Sequence, residues 1–380
     1  MTITLSIPES LKPEDGRFGS GPSKIRPEQI AALDAGATTL LGTSHRQAPV
    51  KQLVASIREG LREFFHLPEG YEVALGNGGA SAFWEIACAS LITRRAAFGT
   101  YGSFSAKFAA SAANAPFLED PVLFPGEPGT YRLPELTEGV DTYCWAHNET
   151  STGVAAPIHR VAGSREAGAL TVIDGTSAAG ALPVDISQTD VYYFSPQKAF
   201  GADGGLWVAI LSPEAIDRAA GVESSAHLEG AHRWVPPFLS LTTALNNSRK
   251  DQTLNTPAVA TQIMMENQIR WLNNNGGLAW ATTRCAKSAS ILYSWAERSE
   301  YAAPFVVDAD ARSNAVVTID LDERVQASQV LSILRENGIV DAAGYRKLGR
   351  NQLRVGVFPS VEPADVMAFT KCVDYVVEHL

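Results

Sequence analysis

The chain of 380 residues exceeds what one ordinary core holds, so two domains are expected. Hydrophobic residues make up 45% and charged ones 19%, which excludes a disordered polyelectrolyte. The formal net charge of -10, without a basic run or stripe, argues against nucleic acid or an anionic membrane as the main partner.

The first residues, MTITLSIPESLKPEDGRF, carry neither a basic region nor an apolar core, so no secretory signal is read there. No apolar run approaches the ~18 residues of a membrane-spanning helix. The 4 cysteines are scattered without a C-x-x-C pair, which suits a reducing compartment, and a cytoplasmic location is expected. The N-x-S/T sequons at Asn148 and Asn246 read as chance matches.

Residues 1–17 read as an arm, with Pro8 and Pro13 blocking regular structure. Residues 18–258 alternate short apolar runs with helical spacing. YEVAL leads into the turn GNGGA, and Phe83, Ile86, Ala87 and Leu91 then share one helix face. AAFGT, TYCWAH, LTVID, VYYFS and LWVAIL are further strand runs. Such alternation predicts a mainly parallel sheet covered on both faces. Residues 259–380 change character. Helical stretches over 260–274 and 278–299 lead into AVVTIDL, a helix over 327–337, the strand QLRVGVF and a helix from Pro363, a smaller α+β domain.

The sharpest chemical signal is the pair VIDGTSAAG and YYFSPQKAFGADGG. Asp174 ends one apolar strand, and Lys198 follows the next, before a glycine-rich turn. Carboxyl ends of parallel strands are where open sheets bind ligands. An acid and an amine on one rim are what pyridoxal 5′-phosphate (PLP) needs. The amine forms an imine with its aldehyde, and the carboxylate keeps its ring nitrogen protonated. Taken singly, either residue is equally a helix cap or a solvated rim side chain. The loop GNGGAS favours the ligand reading, because its glycines admit a close approach and its N–H groups open a helix that attracts phosphate. A dinucleotide loop would need glycine at Ser81 and an acidic residue about 20 positions on; a P-loop would need Gly-Lys-Ser/Thr. The 7 histidines show no metal spacing, so no metal is expected, and no G-x-S-x-G elbow occurs. Arg46, after Ser44-His45 in a segment with little helical pattern, suggests a binding loop, and an arginine fork suits a carboxylate.

These segments together resemble the phosphoserine aminotransferases, class V members of the fold-type I PLP enzymes, in their actinobacterial form. The resemblance runs from F-G-S-G-P-S at 18–23 to L-R-V-G at 353–356. It implies an α/β fold with a large domain on a mainly parallel seven-stranded sheet and a smaller α+β C-terminal domain. It places the Schiff base on Lys198, with Gln197 near the ring hydroxyl, Asp174 on the pyridine nitrogen, and Ala80 and Ser81 at the cofactor phosphate. Phe104 would cover the ring, and Thr150 would hydrogen-bond the cofactor. Asn255 and Thr256 would reach the phosphate of the neighbouring subunit's cofactor, so a homodimer with shared sites is implied. Arg354 would hold the substrate α-carboxylate. His45 and Arg46 would hold the distal anion or share that carboxylate.

Three departures from the family pattern stand out. Ser81 occupies a position where many members carry a phosphate-binding arginine. Tyr345-Arg346 replaces a His-Arg pair, and Phe104 replaces a stacking tryptophan. Arg346, Lys347 and Arg350 are the candidates to supply the lost phosphate contacts. The implied activity is reversible transamination between 3-phosphohydroxypyruvate and L-glutamate, with 4-phosphohydroxythreonine in pyridoxine synthesis as a second substrate. Other readings are a class V aminotransferase using alanine or glyoxylate, a PLP lyase or cysteine desulfurase, or a non-catalytic PLP-binding module.

Overall fold

A computed structural model describes residues 5–226 and 233–380. Helices α1 (Pro27–Gly36) and α2 (Ala48–Phe64) precede strand β1 (Glu72–Asn77). A glycine turn then opens α3 (Ala80–Ser90), followed by β2 (Ala96–Thr100), α4 (Ser103–Asn114), β3 (Val122–Pro125) and β4 (Thr142–Ala146). The short pair β5 (Asn148–Glu149) and β6 (Val154–Ala155) leads to β7 (Leu170–Asp174), β8 (Val191–Phe194) and β9 (Leu206–Leu211). Next come α5 (Pro213–Ser225), α6 (Leu241–Ser248), α7 (Val259–Asn274) and α8 (Gly277–Arg298). The chain finishes with β10 (Ala302–Pro304), β11 (Val316–Leu321), α9 (Ala327–Glu336), β12 (Gln352–Gly356) and α10 (Pro363–Glu378).

Among the described residues, seven strands form one sheet in the order β1-β9-β8-β7-β4-β2-β3. β9 runs antiparallel to both its neighbours, and the remaining pairings are parallel. The two-residue strand period divides the side chains between two cores. Val191 and Tyr193 enter the core beside α3 and α5, whereas Tyr192 and Phe194 enter the core beside α2 and α7. β9 repeats the division, with Trp207, Ala209 and Leu211 on one side and Val208 and Ile210 on the other. Because both faces are buried, these strands read as unbroken apolar runs.

α2 buries Val50, Leu53, Val54, Ile57, Leu61 and Phe64, a 3.6-residue stripe that seats it on the sheet. Neither α1 nor α2 was anticipated from the sequence. A second, antiparallel sheet β10-β11-β12 carries its own core with α9 and α10. α8 joins the two, placing Leu278 and Ala281 in the first core and Leu292 and Ala296 in the second. Within residues 5–17, Leu5, Ile7 and Leu11 pack on this second core. Ile7 is buried there, and its N–H donates to Asn337 Oδ1 at 2.9 Å.

Opposite the rim that carries Asp174, Asp190 ties three strands together. Its carboxylate accepts from Arg160 (2.5 Å), the Thr171 N–H (2.7 Å) and the Ser212 hydroxyl (3.1 Å). Removing it leaves the partly buried Arg160 guanidinium without its carboxylate and the buried Thr171 N–H without its acceptor. Asp190→Ala should therefore cost about 3–5 kcal/mol, read as a lowered melting temperature. Arg94→Ala, which breaks only the exposed pair with Glu119, should leave that temperature unchanged.

Candidate active site

At the carboxyl rim of β4, β7 and β8 lies a cavity of about 310 Å³ lined by Lys198, Asp174, Gln197, Phe104, Thr150, Ala80 and Ser81 among others. Asp174 is the last residue of β7, in register with Tyr193 on β8, and Lys198 stands four residues beyond the end of β8. Adjacent parallel strands thus present both groups to one space.

Lys198 is 8% exposed, and its Nζ donates to the Ser20 carbonyl at 2.5 Å. The segment through Gly21 crosses directly over this amine. A Cβ at Gly21 would collide with Lys198 Nζ, and φ there is +142°, so only glycine fits. The Ser23 N–H donates to the Gln197 carbonyl at 2.8 Å and anchors the crossing. Burial pushes the Lys198 amine down to about 7, helped by the positive charge of Arg354 and opposed by Asp174 and Glu149.

Asp174 is 7% exposed. Its carboxylate accepts from the Thr176 N–H at 2.8 Å and from the Trp84 indole at 3.4 Å. Burial nevertheless raises its pKa above the ordinary carboxylate value. Among the described residues, no cation is paired with it, although a buried carboxylate is stabilised by one.

The glycine loop does what its composition suggested. Gly78 (φ +119°) and Gly79 (φ +74°) take backbone conformations open to glycine, and Gly79 caps α3. The first N–H groups of α3, at Ala80 and Ser81, therefore face the cavity as an anion seat. Phe104, in the first turn of α4, lines the same space. Thr150 donates its hydroxyl to Ser177 Oγ at 2.7 Å, and Asn148 Nδ2 donates to the same oxygen at 2.9 Å.

These residues fit PLP. Asn148 Oδ1, Thr176 Oγ1 and Gln197 Oε1 are buried without a hydrogen-bond partner, and all three residues line the cavity. Orphaned polar atoms of this kind call for a polar ligand. A nucleophilic amine, an unpaired carboxylate and a helix N-terminus in one cavity match an aldehyde, a ring nitrogen and a phosphate.

A second cavity of about 530 Å³ shares Gly21 and Pro22 with the first and is lined by Tyr345, Arg346, Lys347 and Arg354. Arg354 Nη1 donates to the Thr150 carbonyl at 3.2 Å, its Nε has no partner, and its guanidinium carbon lies 5.3 Å from the centre of the Tyr345 ring. The fork is held but its charge is not neutralised by any carboxylate among the described residues. Arg350 is not free in the same way. It is bidentate to Asp320 (3.0 and 2.5 Å) and lies over the Phe305 ring, so of the three compensating candidates only Arg346 and Lys347 line the cavity.

His45, Arg46, Asn255 and Thr256 line neither cavity. The Thr256 hydroxyl meets His45 Nδ1 at 3.3 Å, and Asn77 Nδ2 donates to Asn255 Oδ1 (2.7 Å) and to the Thr256 carbonyl (2.9 Å). Arg46 is exposed in the turn before α2. The fold therefore gathers His45, Asn255 and Thr256 at one edge beyond the end of β1, outside the cleft of their own chain.

Trp84, Asn148, Thr176, Ser177 and Gly21 line the first cavity without having been singled out from the sequence. Trp84 lies one helical turn after Ala80, and Thr176-Ser177 follow the strand-end aspartate after a single glycine, so spacing from motifs already noted points to all three.

Residues 18–349 match the family description Aminotransferase class-V. The chain is 56% identical over 380 residues to the phosphoserine aminotransferase of Rhodococcus opacus (strain B4), covering 100% of both chains. It is also 56% identical to the putative phosphoserine aminotransferase of Mycobacterium leprae (strain TN), covering 100% of this chain and 99% of that one. Among solved structures, the phosphoserine aminotransferase from Cytophaga hutchinsonii superposes with a TM-score of 0.83 at 21% identity, covering 95% of this chain and 99% of that one. Alanine–glyoxylate aminotransferase from Nostoc sp. superposes at 0.78 with 19% identity, covering 98% and 96%. At such identities these structures share the fold.

An amine lowered to about 7 is half neutral near that pH, unlike an ordinary lysine. In the cofactor-free protein, labelling of Lys198 by a small amine-reactive reagent should reach half its maximal rate near pH 7, followed by peptide mass spectrometry. Half-maximal labelling near pH 10 would contradict the burial argument.

Proposed function

The chain belongs to the class-V aminotransferases, in their phosphoserine aminotransferase branch, and on that premise we propose that it interconverts 3-phosphohydroxypyruvate and L-glutamate with O-phospho-L-serine and 2-oxoglutarate. The observation that carries this reading is the buried Lys198–Asp174 pair in one cavity, separated only by the Gly21–Pro22 wall from a second cavity lined by cationic side chains. PLP, when bound, supplies an aldehyde that takes up the amino group and a ring that accepts electrons from the substrate Cα–H bond.

The chain's own residues do the rest. Lys198, with an amine near 7, would take the proton from the amino donor's Cα and deliver it to the carbon that carried the cofactor's aldehyde, then run the same transfer in reverse onto the Cα of the keto acid. Asp174 accepts the hydrogen bond that keeps a proton on the ring nitrogen. The N-terminus of α3 orients the phosphate, and Phe104 keeps water from one ring face. Arg354 binds the α-carboxylate with its unpaired edge. Arg346 and Lys347 receive the distal anion, which is a γ-carboxylate in glutamate and a phosphate ester in the keto acid. In this reading residues 18–258 carry the cofactor and 259–380 carry the substrate cations, so the substrate is gripped between two domains. The phosphate-bearing 4-phosphohydroxythreonine suits the same cavity.

The working form in this reading is a cytoplasmic homodimer with shared sites. His45, Arg46, Asn255 and Thr256 would serve the partner subunit's cofactor and substrate. Their placement outside both cavities of their own chain supports this, as do the exposed Phe238 and Leu254 beside Asn255. No helix among the described residues is long and apolar enough to cross a membrane.

Turnover assays check the assignment. Lys198→Ala should abolish transamination, and full turnover in that variant would end the proposal. The double variant Arg346→Ala, Lys347→Ala should raise KM for 3-phosphohydroxypyruvate by roughly 10- to 100-fold, the loss of charged hydrogen bonds. Its effect on unphosphorylated hydroxypyruvate should be small. An enzyme that prefers hydroxypyruvate would instead be an aminotransferase of the alanine or glyoxylate type.

A further inference from the structure

Glu149 is fully buried at 0% exposure, yet it belongs to neither the cofactor cavity nor the substrate cavity. Its Oε2 accepts from the Phe104 N–H (3.1 Å), the Ser105 N–H (2.9 Å) and the Ser105 hydroxyl (2.9 Å). Its Oε1 accepts from the Ser151 N–H (3.2 Å) and the Ser151 hydroxyl (2.6 Å). The first three donors belong to the opening turn of α4. The N-cap of that helix is Gly102, which has no side chain to cap with, and a Cβ there would collide with the Glu149 side chain. A carboxylate from 45 residues away thus takes the capping role.

The residues it holds reach the site on both sides. Phe104 lines the cofactor cavity, and its ring lies 5.9 Å from that of Tyr345, which in turn flanks Arg354. The next residue, Thr150, receives Arg354 on its carbonyl and donates to Ser177, three positions after Asp174. We propose that Glu149 is a positioning residue that fixes the aromatic cover at Phe104 and the carboxylate fork at Arg354 in one frame with Lys198 and Asp174. The inference rests on the functional reading above, in which Phe104 covers the cofactor ring.

Three variants separate positioning from plain helix capping. Glu149→Ala removes all the hydrogen bonds, and Glu149→Gln keeps the shape with one acceptor fewer. Gly102→Ala displaces the carboxylate while leaving it in the chain, and φ of 176° at that position suits alanine. Wild-type protein is first titrated with PLP, following quenching of tryptophan fluorescence and the circular dichroism of the bound chromophore. Glu149→Ala and Gly102→Ala should raise the PLP Kd about tenfold or more, weaken the visible dichroism and raise KM for glutamate, with Glu149→Gln between them and wild type. A lowered melting temperature with PLP Kd, visible dichroism and glutamate KM all unchanged would overturn the proposal and leave a simple cap. If Glu149→Ala does not fold, Gly102→Ala and Glu149→Gln decide on the same readouts. Wild-type protein that binds no PLP sinks the functional reading and this inference with it; normal wild-type binding with unmoved variants sinks the inference alone.

Discussion

Holding an amine and a carboxylate out of water on the same rim is costly, and the rest of the site is arranged around that constraint. Desolvation acts on the two in opposite directions, pushing Lys198 down to about 7 and Asp174 up. Neither group has an ion-pair partner among the described residues, so each retains an unmet demand: the amine for an electrophile, the acid for a cation. The parallel pairing of β7 and β8 makes the arrangement possible, because both strands deliver their chain ends to one side. A sheet buried on both faces supplies the apolar surroundings that produce the shifts.

The remaining charges follow the same logic of being held without being neutralised. Arg354 rests on a backbone carbonyl and an aromatic face, which orient its fork while leaving its charge available. Arg350, only four residues earlier, is spent on Asp320 and contributes to the second sheet instead. Between the two cavities the crossing at Gly21 brings backbone against the Lys198 amine, so the lysine and the cationic side chains of the second cavity share a wall. α8, with one end in each core, joins the parts that carry them.

Much of this was legible before any coordinates. β4, β7, β8 and β9 are buried on both faces and announce themselves as unbroken apolar runs, and the strand-end positions of Asp174 and Lys198 follow directly. Less visible were elements whose signal is weak or mixed. α1 carries only two large apolar side chains, Ile30 and Leu33, and the half-exposed β3 has no clear pattern. The amphipathic stripe of α2, by contrast, stands in the sequence at regular helical spacing. Contacts across long separations were out of reach: Glu149 to α4, Trp84 to Asp174 across 90 residues, and Arg350 to Asp320. Motif matching also attaches His45 and Arg46 to a site without saying whose, and the fold keeps both out of the cleft of their own chain.

In the proposed function Asp174 would govern the protonation of the PLP ring nitrogen. Nitrogen-15 NMR of the protein loaded with PLP labelled at the ring nitrogen reads this directly. A pyridinium-like shift in the wild type that moves to the neutral pyridine range in Asp174→Ala is expected. A neutral nitrogen in the wild type, or a protonated one that survives loss of Asp174, would contradict it.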